Sequence, residues 1–192
     1  MATVDFKKTA LVIIDLQKGI VQLAPNSAQS AQVVENASEL VKCFRENDGL
    51  ISFVKVDFLD GKDALQPITD QSSQTVDRPG DWAEFIPELG VNAKDYVVTK
   101  RQWGAFFGTD LDLQLRRRGI DTIVLCGIAT NIGVESTARE AFQYGYNQIF
   151  VTDAMSSFTE EEHQSSCRFI FPKIGKVRST EQFITANTQK IE

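Results

Sequence analysis

The chain is 192 residues long, enough for one α/β domain with a continuous core and short of two. With 42% hydrophobic and 24% charged residues it sits in the ordinary globular range, which argues against global disorder. A formal charge of -6 without a long basic run argues against a nucleic-acid groove or an anionic membrane as the main partner, and leaves a small molecule.

From the start of the chain, charge appears within residues 1–8, and the apolar run Ala10–Ile14 is too short for an export segment or a membrane span. Cys43, Cys126 and Cys167 lie far apart with no CxxC spacing, which is not a disulfide framework, so a reducing cytoplasm is expected. His163 is the chain's one histidine, too few for a zinc site of the His/Cys type, and separately no cofactor is expected.

Six short apolar, β-branched runs predict strands: Ala10–Asp15, Leu50–Val56, Tyr96–Thr99, Thr122–Gly127, Gln148–Thr152 and Lys176–Arg178. Several are near-continuous in Val, Ile and Leu, as strands buried on both faces of a parallel sheet are. Helices fall between them. Val33, Val34, Ala37, Leu40, Val41 and Phe44 share one helical face. Thr109 with Asp112 predicts a capping box before Leu111 and Leu115. Val134, Ala138, Ala141 and Phe142 mark a further helix closed by Gly145, and Thr159–Glu162 and Ser179–Gln182 open the last two. The alternation specifies an α/β/α sandwich on a six-stranded, mostly parallel sheet, one domain over residues 1–192. Residues 57–80, rich in Asp, Gln, Ser, Pro and Gly, break the pattern and read equally as a binding loop and as a surface insertion.

Ligands of open α/β sheets sit beyond the carboxyl ends of the strands, so polar residues ending strands are the candidates. Asp15 follows Leu11-Val12-Ile13-Ile14, where a carboxylate is partly desolvated; taken alone it reads equally as a helix cap. Lys100 closes Tyr96–Thr99 and is a possible acid/base partner for it, although a lone lysine there is usually solvated. The turn Gly127 to Ala138 joins a strand to a helix without a Walker loop or a dinucleotide fingerprint, which disfavours nucleotide binding by either device.

Three motifs occur in order over nearly the whole chain: Asp15-Leu16-Gln17; Lys100 followed by Trp103-Gly104-Ala105-Phe106-Phe107-Gly108-Thr109; and Gly127-x-x-Thr130-x-x-Gly133-Val134-x-x-Thr137-Ala138. Together they resemble the isochorismatase-like cysteine hydrolases. The resemblance implies strand order 3-2-1-4-5-6 and a cis peptide at Ile128–Ala129. It implies a small-molecule hydrolase, homo-oligomeric, with Asp15, Lys100 and position 133 as the catalytic trio. Gly133 falls where that family carries its nucleophilic cysteine, as it does in the isochorismatases proper, which cleave a vinyl ether. Without a thiolate the acyl-enzyme route is closed. Asp15 is then the general acid, Lys100 holds charge beside it, and Gly133 leaves room for substrate or water. At Ala129 and Asn131 the chain carries neither the aromatic residue nor the histidine of the isochorismatases proper, whereas Thr130 follows the cysteine hydrolases.

Gln17, Ala129, Thr130, Asn131 and Trp103 are candidate substrate contacts, and Arg78 or Arg101 a candidate carboxylate receiver. Cys126 reads as core and His163 as a solvated helix residue. Two rival readings stand beside the hydrolase. One is a family member that binds a metabolite or partner without turnover. The other is a receiver-like module, disfavoured because Asp15 lacks an acidic neighbour and Lys100 comes too early.

Overall fold

The computed structural model describes residues 3–23, 27–70, 78 and 80–188. The strands are β1 (Thr9–Ile14), β2 (Leu50–Val56), β3 (Tyr96–Lys100), β4 (Thr122–Ile128), β5 (Asn147–Ser156) and β6 (Lys176–Arg178). The helices are α1 (Lys18–Val21), α2 (Ser27–Glu46), α3 (Leu111–Arg117), α4 (Glu135–Gln143), α5 (Glu160–Phe169), α6 (Phe171–Ile174) and α7 (Thr180–Thr188). One sheet runs β3-β2-β1-β4-β5-β6, with its pairings parallel throughout. The chain winds outward from β1 to β3 and returns to lay β4 against the other side of β1. That reversal opens a crevice at the carboxyl ends of β1 and β4.

β1 shows why the sequence is apolar without alternation. Leu11 and Ile13 join Phe44, Phe53, Val124 and Phe183 on the face covered by α2 and α7. Ala10, Val12 and Ile14 join Val98, Leu115, Ala138 and Phe171 on the face covered by α3, α4 and α6. Each large side chain so buried contributes roughly 1.5–3 kcal/mol.

Two capping boxes form as the sequence predicts. At α5, Glu162 N–H donates to Thr159 Oγ1 and Thr159 N–H to Glu162 Oε2. Ser179 and Gln182 make the same reciprocal pair at α7. The box predicted at Thr109 does not form. Its hydroxyl donates to the Ala105 carbonyl at 2.6 Å, and Asp112 is taken by Tyr146 and Arg116.

β5 also runs on to Ser156, past the predicted end at Thr152. Its pairing slips between Leu125↔Phe150 and Gly127↔Met155, so extra residues bulge from β5 and hide the strand's length from any periodic pattern. Opposite the bulge, Gly127 has φ +123°, and a Cβ there would lie 2.0 Å from the Ile14 carbonyl oxygen. Only glycine lets β4 approach β1 so closely.

Candidate active site

Asp15 is the first residue beyond β1. Its φ of 52° is left-handed, a conformation aspartate tolerates better than most residues. Its N–H still donates to the Val54 carbonyl at 2.9 Å, so the carboxylate is turned into the crevice while the backbone stays tied to β2. Lys100 ends β3. β2 lies between β1 and β3, so the two backbones are two strand spacings apart, roughly 9.5 Å. The length of the lysine side chain closes that gap. Its Nζ lies 2.7 Å from Asp15 Oδ2 and donates a second bond to the Gln102 carbonyl at 3.1 Å. The pair is buried, with side-chain exposures of 2% for Lys100 and 8% for Asp15. Asp15 Oδ1 is also buried and has no hydrogen-bond partner among the described residues.

Burial pushes the Asp15 carboxyl up to about 6, against the attraction of Lys100, which pulls it down. Near neutrality the group therefore exchanges a proton easily, as an acid catalyst requires.

A π-helical turn, Thr130–Val134, leads from β4 into α4 and carries Gly133 to the same point. A Cβ on Gly133 would lie 3.1 Å from Asp15 Oδ2, 3.6 Å from Lys100 Nζ and 3.0 Å from Ile14 Cγ2. The Ile128–Ala129 peptide just before the turn is cis.

These groups floor a cavity of about 290 Å³, at the small end of ligand pockets. Val56, Ile132, Phe158 and Trp103 form its walls; Arg78, Phe58 and Trp82 border it. A larger groove, about 1000 Å³, follows the outer side of α2. Its charged lining, Glu35, Glu39, Lys42 and Glu88, is exposed, so the buried, perturbed groups are in the smaller cavity.

Of the residues singled out from sequence, Asp15, Lys100, Gly133, Ala129, Arg78, Arg101 and Trp103 meet at this cavity. Three do not line it. Gln17 is fully buried and its amide is spent on β2, with Nε2 donating to the Val56 carbonyl and Oε1 accepting the Val56 N–H. It fixes the end of β2. Thr130 is fully buried against His163, Oγ1 to Nδ1 2.8 Å, and Asn131 Oδ1 accepts the Ser157 hydroxyl. Both anchor the turn from behind. His163 is accordingly buried, not solvated, and burial pushes its pKa down. Arg101 is committed to Asp63, at 2.9 Å.

The 57–80 stretch borders the cavity through Phe58, Ala64, Leu65 and Arg78, whereas residues 71–77 and 79 lie outside the described residues. Asp63 ties the stretch down, accepting the Leu59 N–H as well as Arg101.

Sequence reasoning gave Thr137 no role beyond its place in the third motif. Its hydroxyl donates to the Gly133 carbonyl at 2.7 Å and accepts the Ala105 N–H at 3.1 Å, joining the Gly133 turn to the loop after Lys100. Glu140 reinforces that loop by accepting the Phe106 N–H at 3.0 Å. The four-residue spacing from Gly133 to Thr137 on a helix start was the available signal.

No cysteine lines the cavity. Cys126 is fully buried in β4, Cys43 is buried in α2, and burial raises both thiols. Cys167 sits 3.5 Å from His163 Nε2, its thiol pushed up to about 12 by burial.

The Isochorismatase domain family model matches residues 9–182. The chain belongs to the isochorismatase family. It is 69% identical over 183 residues to the uncharacterized isochorismatase family protein YwoC of Bacillus subtilis, covering 94% of this chain and 95% of the relative. Ureidoacrylate amidohydrolase RutB of Acinetobacter baylyi is 31% identical, over 96% of this chain and 74% of the relative. An isochorismatase family protein of Burkholderia thailandensis superimposes with a TM-score of 0.89 at 46% identity, covering 96% of this chain and 97% of that one. The strand order implied by the resemblance is the order of the fold.

Proposed function

We propose that this isochorismatase-family chain is a hydrolase of a small metabolite that works without a covalent cysteine intermediate. The observation that carries it is the place of Gly133: a side chain would begin within 3.1 Å of Asp15 Oδ2 and 3.6 Å of Lys100 Nζ, and glycine puts no nucleophile at that point. The alternative nucleophiles are remote, since every thiol is raised by burial and outside the cavity.

The chemistry that suits this arrangement is cleavage of a vinyl ether. Asp15 gives its proton to the terminal alkene carbon, forming an oxygen-stabilised cation. Water adds to that cation and passes a proton back to Asp15. The resulting hemiketal breaks its C–O bond to release a ketone and an alcohol, so the net reaction is hydrolysis and Asp15 ends protonated. Lys100 keeps the Asp15 carboxylate close when it is charged and fixes its orientation through Oδ2, leaving Oδ1 toward the substrate.

A panel of vinyl ethers, amides and ureas tests this, run with wild type, Asp15→Asn and a variant with Cys43, Cys126 and Cys167 replaced by Ala. Turnover of a vinyl ether that survives cysteine replacement and is lost in Asp15→Asn is the expected result. Turnover abolished by cysteine replacement in a folded protein overturns it. No turnover across the panel favours a family member that binds its metabolite without cleaving it.

A further inference from the structure

Three cations border the cavity: Arg78, Lys100 and Arg101. Two are neutralised, Lys100 by Asp15 at 2.7 Å and Arg101 by Asp63 at 2.9 Å. Arg78 pairs with no carboxylate among the described residues, and residues 71–77 and 79 contain no lysine or arginine that could add a fourth cation.

Arg78 is nevertheless held. Its guanidinium carbon stands 4.3 Å from the centre of the Phe58 ring and 5.3 Å from that of Trp82. Contact with two rings holds the otherwise exposed guanidinium at the cavity rim, and a guanidinium can receive a carboxylate through two parallel bonds. The platform beneath it is itself fixed. Trp82 is 9% exposed and lies against Gly19, where even a Cβ would come within 1.9 Å of the indole. The Gly19 N–H donates to the Trp82 carbonyl at 3.1 Å.

Away from Arg78 the walls are apolar: Val56, Ile128, Ile132 and Phe158. A second carboxylate on the ligand would be desolvated there without a free cation to offset the cost. One anionic end, an apolar body and a polar end match Arg78, the apolar walls and Asp15 Oδ1 in turn.

We infer that the cavity selects a small monocarboxylate with an apolar body, its carboxylate taken by Arg78 and the bond to be cleaved set against Asp15 and Lys100. The inference rests on the cavity being the substrate site, as proposed above. It separates this chain's substrate from dicarboxylates of similar size.

Trp82 and Trp103 are the only two tryptophans in the chain and both line the cavity, so intrinsic fluorescence reports its occupancy directly. The probes are benzoate, benzamide and isophthalate, titrated at about 0.15 M salt, where long-range attraction is screened. Benzoate is expected to bind at least about tenfold more tightly than either of the others, the effect of one charge-assisted bond pair. Arg78→Gln should reduce that preference to within about twofold, and Arg78→Lys should restore part of it as a point charge. The preference is read by binding alone and the vinyl-ether panel by turnover, so a failure of the catalytic reading and a failure of this one are distinguishable. Equal binding of benzoate and benzamide by wild type, a preference that survives Arg78→Gln, tighter isophthalate binding, or no fluorescence response to any probe would each overturn the inference.

Discussion

The pH dependence of stability isolates Asp15 and tests the central electrostatic claim without any substrate. Burial holds the folded carboxyl at about 6, above its ordinary 3.8, so the folded protein binds this proton more tightly than the unfolded chain does. The sign follows. The contribution is fully present below about pH 4 and is lost as pH rises through 6. A shift of about two units at 1.36 kcal/mol each amounts to about 3 kcal/mol. In Asp15→Asn this titration is absent. The wild-type unfolding free energy should therefore fall by about 3 kcal/mol relative to the variant's between pH 4 and pH 7. Asp57 and Asp110, both held below the carboxylate range mainly by hydrogen bonds from Lys55 and Tyr96, titrate alike in the two proteins and cancel in the difference. Urea unfolding followed by tryptophan fluorescence provides the measurement, at low protein concentration because the pI is near 4.9. Parallel curves would show that Asp15 is not shifted. A difference of the opposite sign would show that Lys100 outweighs burial and holds the group ionised. The same titration governs rate. With Asp15 as general acid, kcat/KM falls as pH rises above about 6, whereas a base role reverses the limb.

Gly133→Cys should place a thiol beside Asp15 and Lys100 after a shift of a few tenths of an ångström at Ile14; rapid iodoacetamide labelling at residue 133 near neutral pH checks it, and labelling no faster than at Cys167 contradicts the geometry. Thr137→Val removes both bonds of a buried hydroxyl and strands the Ala105 N–H and Gly133 carbonyl, about 1–3 kcal/mol for each group left unpaired, visible as a lower urea midpoint. A larger fall in kcat than in KM, rescued by Thr137→Ser, would identify it as a positioning residue, and a change in stability alone would leave it structural. Asp15→Asn and Lys100→Met should each cost about 10²–10⁴ in turnover, and the double variant little more than either, because each needs the other at 2.7 Å; fully additive losses would mean that they do not act as one unit.

β1 was legible in the sequence because both its faces are buried: Leu11 and Ile13 on one side, Ala10, Val12 and Ile14 on the other, leave no polar position to interrupt the run. Asp15 and Lys100 were legible for a related reason, since a charge that ends such a run is either functional or costly. The order of the strands came from the resemblance between motifs, because periodicity says which residues are inside and nothing about which neighbour they meet. What only tertiary structure decided was direction. Gln17 follows Asp15 by two residues, yet the left-handed turn at Asp15 sends one side chain into the cavity and the other into β2. Thr130 and Gly133 share a five-residue turn, yet the π-helical winding points the first at His163, 33 positions away, and the second at the ion pair. His163 sits among glutamates on an acidic helix, and only its distant partner makes it a core residue. Arg78, Phe58 and Trp82 come from a stretch with no period at all and from just beyond it, and stack because the chain returns over the carboxyl end of the sheet. Local patterns carry burial and secondary structure; the convergence of side chains from separate loops on one cavity is a property of the packed sheet alone.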